Sequence, residues 1–102
     1  MARSLTGLPI LGYESVTGSG TAQRLTRANY DKVPPAVGAI ITVDTAPIRW
    51  RADGTAPTSS QGHFAIPTGD PIILTGSQMA KFQFINQGGS NGVIRVHYVG
   101  AG

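Results

Sequence analysis

Apolar and polar residues alternate along much of this chain. In VIRVHYV at 93–99, Ile94, Val96 and Tyr98 alternate with Val93, Arg95, His97 and Val99. KFQFI at 81–85 sets Phe82 and Phe84 against Lys81 and Gln83, and PIRWR at 47–51 sets Ile48 and Trp50 against Arg49 and Arg51. A two-residue period sends successive side chains to opposite faces of a strand. The pattern therefore predicts half-buried strands, with the aromatic and aliphatic set inward and Lys81, Gln83, Arg95 and His97 outward. IILT at 72–75 follows the same template through Ile72 and Leu74, and AIITV at 39–43 is a continuous β-branched run. Weaker strand signals lie around Tyr13 and Val16, in TAQRLTR at 21–27, and at His63, Phe64 and Ala65.

Turn residues punctuate these runs. ANYDKVPPAVG at 28–38 contains Pro34-Pro35 and Gly38, which break a helix. Asp53-Gly54, the Pro57–Ser60 loop and the segment from Pro67 to Pro71 mark further turns, and GGSNG at 88–92 reads as a hairpin turn. No window carries a helical period. Short strands separated by turn signals at this density predict an all-β fold: a single-domain antiparallel β-sandwich or small barrel, a class that includes the jelly roll. Residues 1–10, MARSLTGLPI, show no period. The chain divides into an extended N-terminal arm at 1–12 and a β-sandwich domain at 13–102. Leu5, Leu8, Ile10 and Leu11 make the arm apolar. A free terminus gains nothing from such residues, whereas an arm laid on a neighbouring subunit buries them.

Composition sharpens this into an assembly component. Only 13% of the 102 residues are charged, about half the usual share of roughly 25%. A surface of Thr, Ser, Gln, Asn and Gly is weakly protected against self-association, so burial in an assembly is expected. The net charge is +3, but the basic residues are scattered rather than clustered into the stripe that a nucleic-acid surface needs. There is no cysteine, which removes disulfides and thiolate chemistry. No apolar run is long enough for a membrane span or a signal-peptide core, so a soluble protein made in a cytoplasm is expected.

Candidate chemistry is sparse. Glu14, Asp31, Asp44, Asp53 and Asp70 fall into no acid–base spacing. His63 and His97 lie in no ligand motif, and no nucleophile elbow occurs. The expectation is a protein that is not an enzyme, with no metal, cofactor or small-molecule substrate. Trp50 suits the core, or a platform for stacking a sugar. Arg49 and Arg51 share the opposite face, where they pair with Asp53 or Asp70 or reach a partner subunit. Asp53 is expected to cap its own turn, and His63 to act as a structural hydrogen-bonder. Arg95 and His97 face outward from the last strand, exposed or at an interface.

One stretch carries a resemblance. The order ITVDTAPIRWRADGTAPTSSQGH at 41–63, GDPIILTG at 69–76 and KFQFINQGGSNGVIRVHYVG at 81–100 resembles a class of small tailed-bacteriophage virion proteins. In these, a strand ending Val/Ile-Arg-Trp/Tyr-Arg runs into Asp-Gly-Thr-x-Pro-Thr. The match spans residues 36–100 and is most specific from Arg49 to Thr58. The resemblance implies a jelly-roll-like β-sandwich acting as a capsid decoration or cement protein. Its partners would be the major capsid protein lattice and further copies of itself, as dimer or trimer. Its place would be the capsid surface after synthesis in the host cytoplasm. A head-fibre or tail-associated module binding host carbohydrate fits the same motif. The interface candidates are Leu5, Leu8, Ile10, Leu11, Arg49, Arg51, Arg95 and His97.

Overall fold

A computed structural model of the chain describes residues 10–31 and 36–100. Its elements run β1 (Ile10–Thr17), β2 (Gln23–Arg24), α1 (Arg27–Tyr30), β3 (Gly38–Asp44), β4 (Ile48–Arg51), β5 (His63–Ala65), β6 (Ile72–Thr75), α2 (Gln78–Lys81), β7 (Gln83–Asn86) and β8 (Val93–Val99). All the ladders are antiparallel, and four of them nest: β1 with β8, β2 with β7, β3 with β6, β4 with β5. That nesting is one long antiparallel ribbon doubled back between β4 and β5. Rolling the ribbon sets β8 beside β3 and β7 beside β4. Two four-stranded sheets result: sheet A, ordered β1-β8-β3-β6, and sheet B, ordered β2-β7-β4-β5. This is the strand order of a jelly roll, a β-sandwich as the alternation predicts.

The core lies between the sheets and is built from the inward residues of the alternating runs. Ile41, Ile94, Val96 and Tyr98 from sheet A and Ile48 and Phe84 from sheet B are fully buried, with Phe82, Leu74 and Met79 closing one end. Each such side chain contributes about 1.5–3 kcal/mol by leaving water. The Tyr98 hydroxyl donates to the Glu14 carboxylate, which also accepts the Thr26 amide at 2.9 Å. Burial and the Glu14 charge push the Tyr98 phenol well above its ordinary pKa. The hydroxyl therefore stays a donor, and the bond ties β1 to β8 and to the entry of α1.

Several sequence expectations need correction. The arm boundary moves, because Ile10, Leu11 and Gly12 belong to β1, where Ile10 pairs with Val99 and Gly12 with Tyr98. A register shift between Ile10 and Gly12 breaks the two-residue period there, so alternation could not mark the start of the strand. Leu5 and Leu8 lie outside the described residues. The strand candidate at 21–27 shortens to Gln23–Arg24, and one helical turn follows at Arg27–Tyr30. A second turn, Gln78–Lys81, takes Lys81 out of β7. Both are too short to show a helical period. Gln83 points to the outer face of β7 as expected but is buried there, at 6% exposure.

GGSNG is not a hairpin turn, since it carries the chain from β7 in sheet B to β8 in sheet A. It meets Gly18, where the chain leaves β1 in sheet A for β2 in sheet B. The Gly18 amide donates to the Gly92 carbonyl at 2.6 Å, and the Gly92 amide donates to Asn86 Oδ1 at 3.0 Å. Asn86, itself buried, donates through Nδ2 to Asn91 Oδ1 at 2.7 Å. A Cβ on Gly92 would lie 2.4 Å from the Ile48 side chain and 2.6 Å from the Ala46 carbonyl oxygen. One on Gly18 would lie 2.5 Å from Asn86 Oδ1. These glycines are required by close approach, where the two sheets are stitched together at one end.

Candidate partner-binding faces

Residues directly opposite on neighbouring strands share a face of the sheet. On sheet A, Tyr13 lies opposite His97, His97 opposite Ile40, and Ile40 opposite Ile73. These four form a row across the whole outer face. Tyr13 and Ile73 are 51% and 50% exposed, His97 is exposed and Ile40 half-buried. The Tyr13 and His97 rings lie 5.2 Å apart. Beside this row Arg95 binds Asp44 Oδ2 through Nε at 3.1 Å and Nη2 at 3.0 Å, and Tyr13 Oη through Nη1 at 3.1 Å. The Arg95 guanidinium and the Thr45 amide hold the Asp44 carboxyl below its ordinary pKa. Arg95 and Asp44 thus cancel each other. The outer face of sheet A carries an apolar and aromatic row, flanked by the exposed hydroxyls of Ser15 and Thr42 and by an ion pair closed within itself.

Sheet B is different. Arg24 and Arg51 both lie opposite Gln83, and Ile85 and Phe64 both lie opposite Arg49. Its outer face therefore gathers Arg24, Arg49 and Arg51 with the half-exposed Phe64. Arg51 grips Asp53 through Nε and Nη2. The guanidinium and the Thr55 amide hold the Asp53 carboxyl down at about 2. This matches the expected Arg51–Asp53 pairing and the capping of the turn by Asp53, whose Oδ1 accepts the Thr55 amide at 3.2 Å. Arg49 lies with its guanidinium carbon 5.1 Å from the centre of the Phe64 ring and donates Nη1 to the Gly62 carbonyl at 3.1 Å. Its Nε is buried and donates to nothing among the described residues. Arg24 donates Nη1 to the Ala80 carbonyl at 3.3 Å. Neither Arg24 nor Arg49 pairs with a carboxylate among the described residues.

The sequence-derived interface residues thus divide between opposite sides of the sandwich. Arg49 and Arg51 belong to sheet B, Arg95 and His97 to sheet A, and Ile10 and Leu11 to edge strand β1. Tyr13, Ile40 and Ile73 complete the sheet A row, and Arg24 and Phe64 the sheet B group. Alternation alone turns Ile40 and Ile73 outward, but their alignment with His97 needs the register. Trp50 packs against the core, half-buried, with the His63 ring at 4.7 Å and the Phe82 ring at 5.8 Å. His63 on β5 and Phe82 at the head of β7 meet it from opposite sides of β4, and the rest of the indole lines two shallow surface depressions. The His63 ring packs at a tilt of 36° against Trp50, and among the described residues it makes no side-chain hydrogen bond of the kind expected from sequence. Among the described residues, no three His, Asp or Glu side chains come together in a metal-binding group. Among the same residues, no helix is long and apolar enough to cross a membrane.

No protein-family model, curated protein or solved structure matches this chain.

Proposed function

We propose that this chain is a structural protein of a tailed-bacteriophage particle, a capsid decoration or cement protein that binds the major capsid protein lattice. The observation that carries the proposal is the row Tyr13–His97–Ile40–Ile73 across the outer face of sheet A, beside an ion pair that neutralises itself. Symmetric oligomers bring the same patch of each copy together. A patch with net charge repels its own copy, whereas an apolar and internally neutral one packs against it without stranding a charge. The chain accordingly self-associates through sheet A. Repetition over a lattice then multiplies weak contacts, by about 10²–10⁴ in effective affinity where geometry permits. The resemblance of Arg49–Thr58 to virion proteins supplies the setting, and the low charge of the chain agrees with it.

The test is to locate the protein in particles of the phage that encodes it. The expected result is a head-bound protein in many copies, whose removal lowers the temperature at which heads release DNA. Ile73→Asp should remain folded and fail to associate. Protein found only at the tail or on fibres would sink the cement reading and favour the host-binding accessory role. Protein absent from particles would sink both.

A further inference from the structure

We infer that the outer face of sheet B is a docking site for an extended acidic segment of a partner protein, with Arg49 and Arg24 as its carboxylate receptors. The inference stands apart from the particle reading, because it rests only on the charge and donor geometry of this face. Arg51 shows what the surface does with a carboxylate: it takes Asp53 through Nε and Nη2 together, the two-pronged grip that a planar guanidinium offers. Arg49 has no carboxylate, and Nη2 is the donor it leaves for one. Only its Nη1 is engaged, by the Gly62 carbonyl, and its Nε is buried and unsatisfied among the described residues. Arg24 spends one donor on a backbone carbonyl and has no acidic partner there. Phe64, 52% exposed under the Arg49 guanidinium, offers an apolar seat beside the charge.

The alternatives fit less well. A second copy of the chain would bring these arginines against their equivalents, which repel. A nucleic-acid strand would need a run of cations along its backbone, and this face has two guanidinium groups free of carboxylates. A partner strand bearing two or more Asp or Glu matches both the number and the chemistry. Carboxylates would meet the remaining Nη donors of Arg49 and Arg24, and an aliphatic side chain on the β5 side of Arg49 would rest on Phe64.

The experiment uses the full chain and a fluorescein-labelled decapeptide with four glutamates and one leucine, read by anisotropy at low salt. Controls are the same peptide with glutamine for glutamate and a thymidine oligonucleotide of equal charge. Each charge-assisted contact is worth about tenfold in affinity. Arg49→Gln and Arg24→Gln should therefore each weaken the acidic peptide by about five- to tenfold, while Ser15→Ala, exposed on the opposite face, should leave it unchanged. Arg24 is exposed and outside the core, so its variant keeps the test valid if Arg49→Gln is destabilised; thermal melts report on both. Equal binding of the glutamine peptide, no effect of Arg24→Gln, or no binding up to millimolar peptide would each overturn the inference. Tighter binding of the oligonucleotide would overturn it in favour of a nucleic-acid surface.

Discussion

Sheets A and B have the same architecture and opposite surfaces. Both are four-stranded, and both turn alternating apolar residues into the common core. Outside, sheet A presents Tyr13, His97, Ile40 and Ile73 and closes its one ion pair within itself. Sheet B presents Arg24, Arg49 and Arg51, of which only Arg51 pairs with a carboxylate, that of Asp53, among the described residues. The difference is one of valence. A neutral face is compatible with its own image; a face with unneutralised guanidinium groups asks for something of opposite charge. One small domain can therefore join like to like on one side and unlike on the other, as a linking element in an assembly must. Salt separates the two modes, because screening weakens contacts between exposed charges and leaves apolar burial intact.

The largest effect should come from the junction on which both faces depend. Gly92→Ala drives a methyl group into the Ile48 side chain and the Ala46 backbone, and a backbone obstacle cannot rotate away. Overpacking of this kind costs about 1–3 kcal/mol, or more where nothing yields. A fall in the denaturant midpoint, with loss of both self-association and peptide binding, is expected. An unchanged midpoint would show that the sheets are not held at this point. Next comes Ile73→Asp, which sets a carboxylate in the middle of the apolar row. Sedimentation should show self-association weakened at least tenfold towards monomer, with melting almost unchanged because Ile73 is half-exposed. A variant that associates as the parent does would remove sheet A as the self-contact.

How much of this was legible beforehand differs between interior and exterior. The core strands announced themselves because Ile94, Val96, Tyr98, Phe82 and Phe84 repeat at the period that burial on one side imposes. The Arg51–Asp53 pair was visible because both partners sit within one turn. The surface rows were not, since each is assembled from residues on three or four strands, and only register brings Tyr13 to His97 or Arg24 to Arg51. The GGSNG cluster misled for a related reason. It has the composition of a hairpin turn, yet the chain around it changes sheets, and what Gly92 and Gly18 supply is room for Ile48 and Asn86 to approach. Arg49 carried no sequence sign that its Nε would be buried without a partner, because that depends on where β5 lays Phe64.

Two smaller perturbations sharpen the contrast. Asp44→Asn strips Arg95 of its counter-charge and makes sheet A resemble sheet B. Two copies would then bring like charges together. Self-association should weaken by a few-fold at low salt and recover as salt is raised, an effect that Ile73→Asp should not share in full. No recovery would mean that charge balance on sheet A is irrelevant to association.

The smallest effect is at Asp53. Its carboxyl titrates at about 2 in the folded chain, against an ordinary value near 3.8, chiefly because Arg51 donates to the charged form. A depressed folded pKa favours the folded state above the unfolded value, and that contribution fades as the pH falls from about 4 towards 2. Both side chains are largely exposed, so solvent screens the pair and the loss of stability should be slight. The consequence for binding is the more informative one. Asp53→Asn leaves Arg51 as a third guanidinium without a carboxylate on sheet B, so affinity for the acidic peptide should rise a few-fold while sheet A self-association stays constant. A carboxyl resonance for Asp53 titrating at the ordinary pH would show that Arg51 does not hold it. Unchanged peptide affinity in Asp53→Asn would show that a partner's carboxylate does not use the Arg51 edge, and would confine the docking site to Arg49 and Arg24.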